Sequence, residues 1–312
     1  MIRKVITPHR ALFAALLAAV MLAPVQAAAD GGYTAARYPV VLVHGLFGFD
    51  NIGPVQYFYG IPSALRADGA RVFVAQVAAS NSTEVRGEQL LKQVKEIIAT
   101  TGKPKVNLIG HSHGGPTIRY VAGVRPDLVA SVTSVGGVNK GSPVADLMLD
   151  LQKTSPVAGT LLARVTDAFS GLIDLLSGGG YEQDSTAAMR SLSTEGSRKF
   201  NQQFPAAVPE DCGDGQHVVN GVRYYSWIGT SPLTNPADPS DYFLGLTALA
   251  FDGPTDGLVG QCSGHLGWVI RDDYRQNHLD EVNQTVGLTA PFEQSPVELY
   301  RQQVNRLKQV GL

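Results

Sequence analysis

The chain has 312 residues, of which 44% are hydrophobic and 17% charged, with a formal net charge of −2. That apolar fraction supplies a sizeable core and excludes a disordered chain, and the length suits two small domains or one large α/β domain. The balance of 25 basic against 27 acidic residues gives no electrostatic footprint for nucleic acid, and two cysteines exclude a disulfide-dense scaffold or a four-thiolate metal site.

Arg3, Lys4 and Arg10 form a basic start, Ala11 to Leu22 an apolar run, and Ala27, Ala28 and Ala29 a small-residue end. The run is too short for a comfortable membrane span. The pattern is that of a secretory signal peptide over residues 1–29, leaving 30–312 as the exported chain. The alternative, an N-terminal anchor, lacks a stop-transfer pattern. Loss of the three cations leaves the exported chain near a charge of about −5. Export implies an oxidising environment, in which Cys212 and Cys262 are expected to pair rather than persist as two buried thiols. Closing that loop of about 50 residues contributes roughly 4 kcal/mol in the chain-entropy picture.

Tyr38-Pro-Val-Val-Leu-Val43 reads as a strand buried on both faces, and Arg71 to Val77 as a second strand. Asn81-Ser-Thr-Glu84 has the form of a helix start. Val85, Leu90, Leu91, Val94, Ile97 and Ile98 then recur at helical spacing up to Gly102. Lys105 to Gly110 is a strand, Pro116 to Val124 a helix and Ser131 to Val135 a strand. This alternation implies parallel pairing through crossovers. Val222 to Ile228 is a strand, 231–265 reads as loops around short elements, and Pro296 to Leu307 closes the chain as a helix. No linker interrupts 30–312, so one elaborated domain is expected.

Gly110-His111-Ser112-His113-Gly114 places a Gly-x-Ser-x-Gly pattern between a strand and a helix start. A serine hydroxyl becomes a nucleophile when it is exposed on a strained turn and paired with a base. Glycines at 110 and 114 avoid clashes with the neighbouring strand and helix. The alternative is an ordinary turn serine. An oxyanion needs two N–H donors. His113, following the nucleophile, supplies one, and Leu46 in His44-Gly45-Leu46-Phe47-Gly48 is the candidate for the other; otherwise His44-Gly45 is a plain turn. In this fold the triad order is Ser, then acid, then His. The acids between the serine and the histidine include Asp238, Asp241, Asp252 and Asp256. Asp256 stands out because it follows the apolar stretch Leu246 to Phe251, as a loop acid past a strand end would. Spacing leaves His265 and His278 both open as the base.

Four segments together resemble the secreted triacylglycerol lipases of Pseudomonas and Burkholderia: Tyr38-Pro-Val-Val-Leu-Val-His-Gly-Leu46, Gly110-His-Ser-His-Gly-Gly-Pro-Thr-Ile-Arg-Tyr120, Asp256-Gly-Leu-Val-Gly260 and Asn277-His-Leu-Asp-Glu-Val-Asn-Gln284. The likeness covers about residues 33 to 312. It implies an α/β-hydrolase fold, a mostly parallel central sheet flanked by helices, with no separate second domain. It implies Ser112 as nucleophile, Asp256 as acid and His278 as base, with Leu46 and His113 at the oxyanion positions and Cys212 bonded to Cys262. It further implies one structural Ca²⁺, held by the carboxylates of Asp238 and Asp280 and the backbone carbonyls of Gln284 and Leu288. An all-oxygen set suits that hard cation. A membrane-anchored foldase, export through the periplasm and action as a monomer on acylglycerol at a lipid–water interface belong to the same resemblance.

Leu161, Leu162, Val165, Ala168, Phe169, Leu172, Ile173, Leu175 and Leu176 recur at helical spacing ahead of Gly178-Gly-Gly180. Taken alone they describe a core-packing amphipathic helix. The resemblance makes the segment, about 155–178, a helical lid over the site. The competing functions are a carboxylesterase or polyester depolymerase with the same triad, which has no need of such a lid, and a catalytically inert lipid-binding protein, against which the complete serine, acid and histidine set argues.

Overall fold

Four consecutive aliphatic residues, Val40–Val43, form β1, and all four are fully buried. Alternate side chains of a strand point to opposite faces, so such a run needs apolar cover on both sides. Val41 and Val43 join a cluster with Leu90, Val94, Ile118 and Val121, while Val40 and Leu42 join another with Ile61, Leu65, Trp227 and Tyr300. Full burial of each large aliphatic side chain contributes about 1.5–3 kcal/mol before ordering entropy is set against it. The structure is a computed structural model describing residues 31–48, 51–52, 55–155, 157 and 180–312. The expected signal peptide lies outside these residues, as does the expected lid apart from Ser155 and Val157.

After β1 come β2 (Asn51–Ile52), β3 (Val55–Gln56), α1 (Ile61–Ala67) and β4 (Val72–Ala75). α2 (Thr83–Thr101) ends at Gly102, whose φ of 65° is the left-handed cap that glycine favours. Its N-cap is Ser82, which accepts the Val85 N–H at 3.3 Å. The sequence pointed to Asn81 as the start, but that side chain accepts the Ser82 N–H and donates to the Glu182 carbonyl instead. β5 (Val106–His111), α3 (Gly114–Val124) and β6 (Val129–Val135) follow as the pattern indicated. Then come α4 (Pro143–Thr154), α5 (Ser185–Leu192), α6 (Thr194–Gln203), β7 (Val218–Val219) and β8 (Val222–Gly229). α7 (Pro239–Thr247), β9 (Trp268–Tyr274) and α8 (Pro296–Gln309) follow, besides a few short turns of helix.

The main sheet runs β4-β1-β5-β6-β8, with β7 and β9 both paired to β8. Every pairing in it is parallel except β7 with β8. Parallel strands gather their carboxyl ends at one edge, where ligands of such folds bind. Residues 44–48 after β1, 112–113 after β5 and 275–278 after β9 all emerge there.

Two sequence expectations need correction. The stretch Leu246 to Phe251 is the end of α7 and a 3-10 turn at Ala248–Ala250, not a strand. Pro239 marks the first residue of α7, where a missing N–H is tolerated. β9 was not anticipated. It is a mostly part-exposed strand with two acids, Asp272 and Asp273, so it lacks the buried alternation that reveals a strand.

Candidate active site

β5 ends in a turn that forces Ser112 to φ 57°, a left-handed conformation that a non-glycine residue adopts only under constraint. Both flanking glycines are required by contact. A Cβ on Gly110 would lie 2.3 Å from the Gly114 carbonyl oxygen, and one on Gly114 would lie 2.3 Å from that of Val43. The turn is closed by the Ser112 N–H donating to the Val135 carbonyl at 3.0 Å and the Gly115 N–H donating to the Ser112 carbonyl at 2.9 Å. The oxyanion-loop candidate lies directly against this serine, since a Cβ on Gly45 would meet Ser112 Cβ at 2.6 Å and Oγ at 3.0 Å.

His278 and Asp256 come from separate loops and meet at two points. His278 Nδ1 is 2.7 Å from Asp256 Oδ2, and the His278 N–H donates to the Asp256 carbonyl at 2.9 Å. Asp256 Oδ1 accepts the N–H groups of Leu258 and Val259 at 2.8 and 2.7 Å. The carboxylate is therefore fully buried yet bonded on both oxygens. With Nδ1 engaged by Asp256, Nε2 is the other ring nitrogen of His278. Ser112 and His278 both line one cavity of about 460 Å³, whose other walls include Leu46, Met148, Leu149, Met189, Phe243 and Leu258.

Four residues that the sequence reading did not assign hold this arrangement. Tyr57 Oη accepts the Gly45 N–H at 3.1 Å and lies 2.7 Å from His111 Nδ1. His111 Nε2 lies 2.9 Å from the His278 carbonyl. The carbonyl accepts, so His111 carries its proton on Nε2 and receives the Tyr57 hydroxyl proton at Nδ1. Burial, then the neighbouring His278, holds His111 well below the usual imidazole range, so it stays neutral. Glu281 Oε1 accepts the Gly229 N–H at 2.7 Å, and Oε2 is 3.3 Å from His111 Nε2. Burial, then the Asp256 charge, raises Glu281 well above the carboxylate range. Arg86 is fully buried and donates to the carbonyls of His44 and Ala78 and to Thr117 Oγ1. Glu281 and His111 were visible only as members of the Asn-His-Leu-Asp-Glu and Gly-His-Ser-His-Gly motifs; Tyr57 and Arg86 carried no positional signal.

His113, at the start of α3, is buried with Nε2 3.0 Å from Thr83 Oγ1. His265, the other candidate base, lies instead beside the Cys212–Cys262 disulfide, which is formed. Asp238 caps α7 through Oδ1, which accepts the Ser240 N–H at 2.8 Å and its hydroxyl at 2.7 Å. Its Oδ2 and Asp280 Oδ1 are both buried without a hydrogen-bond partner among the described residues. Both aspartates are fully buried. Burial pushes the Asp280 carboxyl up to about 7, with the Asp241 charge adding to it. Buried carboxylate oxygens with no donor are costly unless a cation meets them. The donor chemistry thus fits a hard divalent ion.

A family model for the α/β hydrolase fold matches residues 38–209. The chain is 60% identical to a triacylglycerol lipase of Vibrio cholerae, over 92% of this chain and 93% of that protein. It is 43% identical to one of Pseudomonas fragi (88% and 98% covered) and 41% identical to one of Burkholderia plantarii (93% and 90%). Among solved structures, Staphylococcus hyicus lipase superposes with a TM-score of 0.60 at 16% identity, covering 88% of this chain and 98% of its own. Bacillus licheniformis lipase BlEst2 does so at 0.56 and 20%, covering 80% and 89%. At such identities these two speak to the fold alone. With its parallel sheet, its serine turn and these relatives, the chain belongs to the α/β-hydrolase fold family and, within it, to the bacterial triacylglycerol lipases.

Proposed function

We propose that this lipase hydrolyses the ester bonds of long-chain triacylglycerols through Ser112, His278 and Asp256. One observation carries the reading: the strained Ser112 and His278, whose ring is held 2.7 Å from the buried Asp256 carboxylate, line one apolar cavity. Ser112 Oγ attacks the ester carbonyl while His278 Nε2 takes its proton. Asp256 holds the imidazole tautomer and stabilises the imidazolium. The N–H groups of Leu46 and His113 bind the tetrahedral oxyanion, and loss of one such donor is worth about 10²–10³ in turnover. His278 then protonates the departing alcohol, and water repeats the sequence on the acyl-enzyme.

Asp238 and Asp280, with the carbonyls of Gln284 and Leu288, would hold one Ca²⁺. Such an ion supplies charge neutralisation and fixes the loop; it takes no part in proton transfer. Asp280 lies two residues beyond His278, so the site anchors the segment that carries the base. The basic, apolar and small-residue order of residues 1–29 supports secretion, and the family resemblance supports maturation by a membrane-anchored foldase and action as a monomer.

The test is fatty-acid release from emulsified long-chain triacylglycerol against hydrolysis of a soluble short-chain ester, with Ser112→Ala alongside. Emulsion activity that vanishes in the variant supports the reading. Activity confined to the soluble ester removes the lipid substrate, and activity surviving in Ser112→Ala removes the nucleophile.

A further inference from the structure

The Cys212–Cys262 disulfide is exposed at both residues. A buried imidazole that ester hydrolysis does not use lies against it. His265 Nδ1 is 3.8 Å from Cys212 Sγ and accepts the Gly213 N–H at 2.9 Å. Its Nε2 is 3.1 Å from Asp272 Oδ2. An Nδ1 that accepts leaves the ring proton on Nε2, facing the carboxylate. Sulfur, imidazole and carboxylate therefore stand in the order that activates a thiol: the ring takes a proton and pairs with the thiolate, and the carboxylate stabilises the imidazolium.

The charged groups around His265 oppose one another. Burial, the largest influence, holds its pKa below the ordinary value, so the ring is neutral beside the closed bridge; Asp272 favours the proton and Lys140 opposes it. Lys140 Nζ is itself engaged by the carbonyls of Asp211 at 2.8 Å and Glu210 at 3.4 Å. A thiolate released at Cys212 adds a negative charge on the Nδ1 side, which favours the imidazolium.

We propose that the Cys212–Cys262 bridge is an exchange site for small aliphatic thiols, in which Cys262 takes the incoming sulfur and Cys212 departs towards His265. The thiol loses its proton to solvent, and its sulfur electron pair forms the new bond to Cys262 Sγ on the side opposite Cys212, while His265 takes a proton from solvent at Nδ1 as the Gly213 N–H lets go. The Cys212–Cys262 bond breaks, and its electron pair stays on Cys212 Sγ as a thiolate paired with the imidazolium. The products are a mixed disulfide at Cys262 and a thiol at Cys212, with no net oxidation. In reverse, the Cys212 thiolate attacks Cys262 Sγ, expels the small thiol and closes the bridge. The direction follows from leaving ability, because the sulfur with the lower thiol pKa departs faster. The site is independent of the ester chemistry.

The folded, oxidised protein is incubated with glutathione at pH 7 to 8, quenched with an alkylating agent and mapped by peptide mass spectrometry. Glutathione is expected on Cys262 and the alkyl group on Cys212, in about tenfold excess over the reverse, because the sulfur that pairs with the imidazolium leaves faster. His265→Gln retains an acceptor for the Gly213 N–H but cannot hold the proton; adduct formation slows about tenfold and the preference for Cys262 disappears. Asp272→Asn, at a partly exposed side chain, moves both readouts the same way by less, and tests the idea if His265→Gln fails to fold. Neither residue lines the ester cavity, so ester hydrolysis by the oxidised variants is unchanged. Equal labelling of the two cysteines, no adduct on the folded protein, or a preference indifferent to both substitutions overturns the proposal.

Discussion

Arg86 Nη2 donates to the main-chain carbonyl of His44 at 2.6 Å. That carbonyl belongs to the peptide just before Gly45 and Leu46, so a guanidinium on α2 holds the candidate oxyanion loop from behind. The same side chain reaches the Ala78 carbonyl and Thr117 Oγ1. The Phe47 N–H adds a bond to the Ala79 carbonyl at 2.8 Å. Burial lowers Arg86 to about 9, still charged at neutral pH.

Arg86→Met removes all three donors and leaves two buried carbonyls short of a partner. A hydrogen bond from a charged group is worth about 1.5–3 kcal/mol, so turnover of a soluble ester is expected to fall about 10- to 100-fold, with a smaller change in KM. Arg86→Lys keeps the charge but not the fork, and should fall between the two. Steady-state kinetics with a parallel thermal melt checks this. Unchanged kcat in a folded Arg86→Met would mean that the loop keeps its place without the anchor.

Asp256→Asn has a geometric reason to be severe. Oδ1 already accepts two backbone N–H groups, from Leu258 and Val259. An asparagine keeps its oxygen there and turns its NH₂ towards His278 Nδ1. That ring nitrogen must then accept, which moves the proton to Nε2 and leaves no base for Ser112 in the proposed reaction. The loss in kcat is expected to approach about 10⁴ with the fold intact. Kinetics and a circular dichroism melt separate the two effects.

The central parallel strands and the serine turn were legible in the sequence for a common reason. A fully buried parallel strand must be a continuous apolar run, and a turn this tight excludes a Cβ at Gly110 and Gly114. Both constraints leave marks on neighbouring residues. Choosing between His265 and His278 was different, because it depends on which loops converge after the chain has crossed the sheet. The roles of Tyr57, Arg86 and His111 were hidden for the same reason, since each works through partners tens of residues away. β9 was missed because a partly exposed strand with charged positions has neither period nor run.

Acid should destabilise the fold through its buried imidazoles. Burial, then Arg86, lowers His44 to about 3 and His113 well below the usual range; burial, then His278, does the same to His111. Each is neutral when folded but titrates near 6.5 when unfolded. Their stabilisation is therefore complete above pH 6.5 and is lost as pH falls towards the folded values. Between pH 6.5 and the folded values, unfolding binds up to three protons at these rings, and each adds a slope of about 1.36 kcal/mol per pH unit. Urea unfolding between pH 5 and 7 measures the slope. A His44→Gln variant should show about one proton fewer; an unchanged slope would show that His44 is not the neutral, buried group described.

The proposed Ca²⁺ makes a prediction with a sign that a purely structural loop would not share. Without the ion, Asp238 Oδ2 and Asp280 Oδ1 are two buried oxygens with no donor among the described residues. Removing the charge should then help the metal-free protein while it harms the loaded one. For the wild type, Ca²⁺ at about 100 times its dissociation constant adds about 2.7 kcal/mol, which for a domain of this size raises Tm by several degrees, at about 2–4 °C per kcal/mol. A chelator should remove that gain. Asp280→Asn should melt at the same temperature with Ca²⁺ or chelator, and above the chelated wild type. Differential scanning of the four combinations reads this without any assay of ester hydrolysis. A wild type indifferent to chelator would remove the ion from this site, and an Asp280→Asn variant that melts below the chelated wild type would show that the carboxylate serves the loop through hydrogen bonds alone.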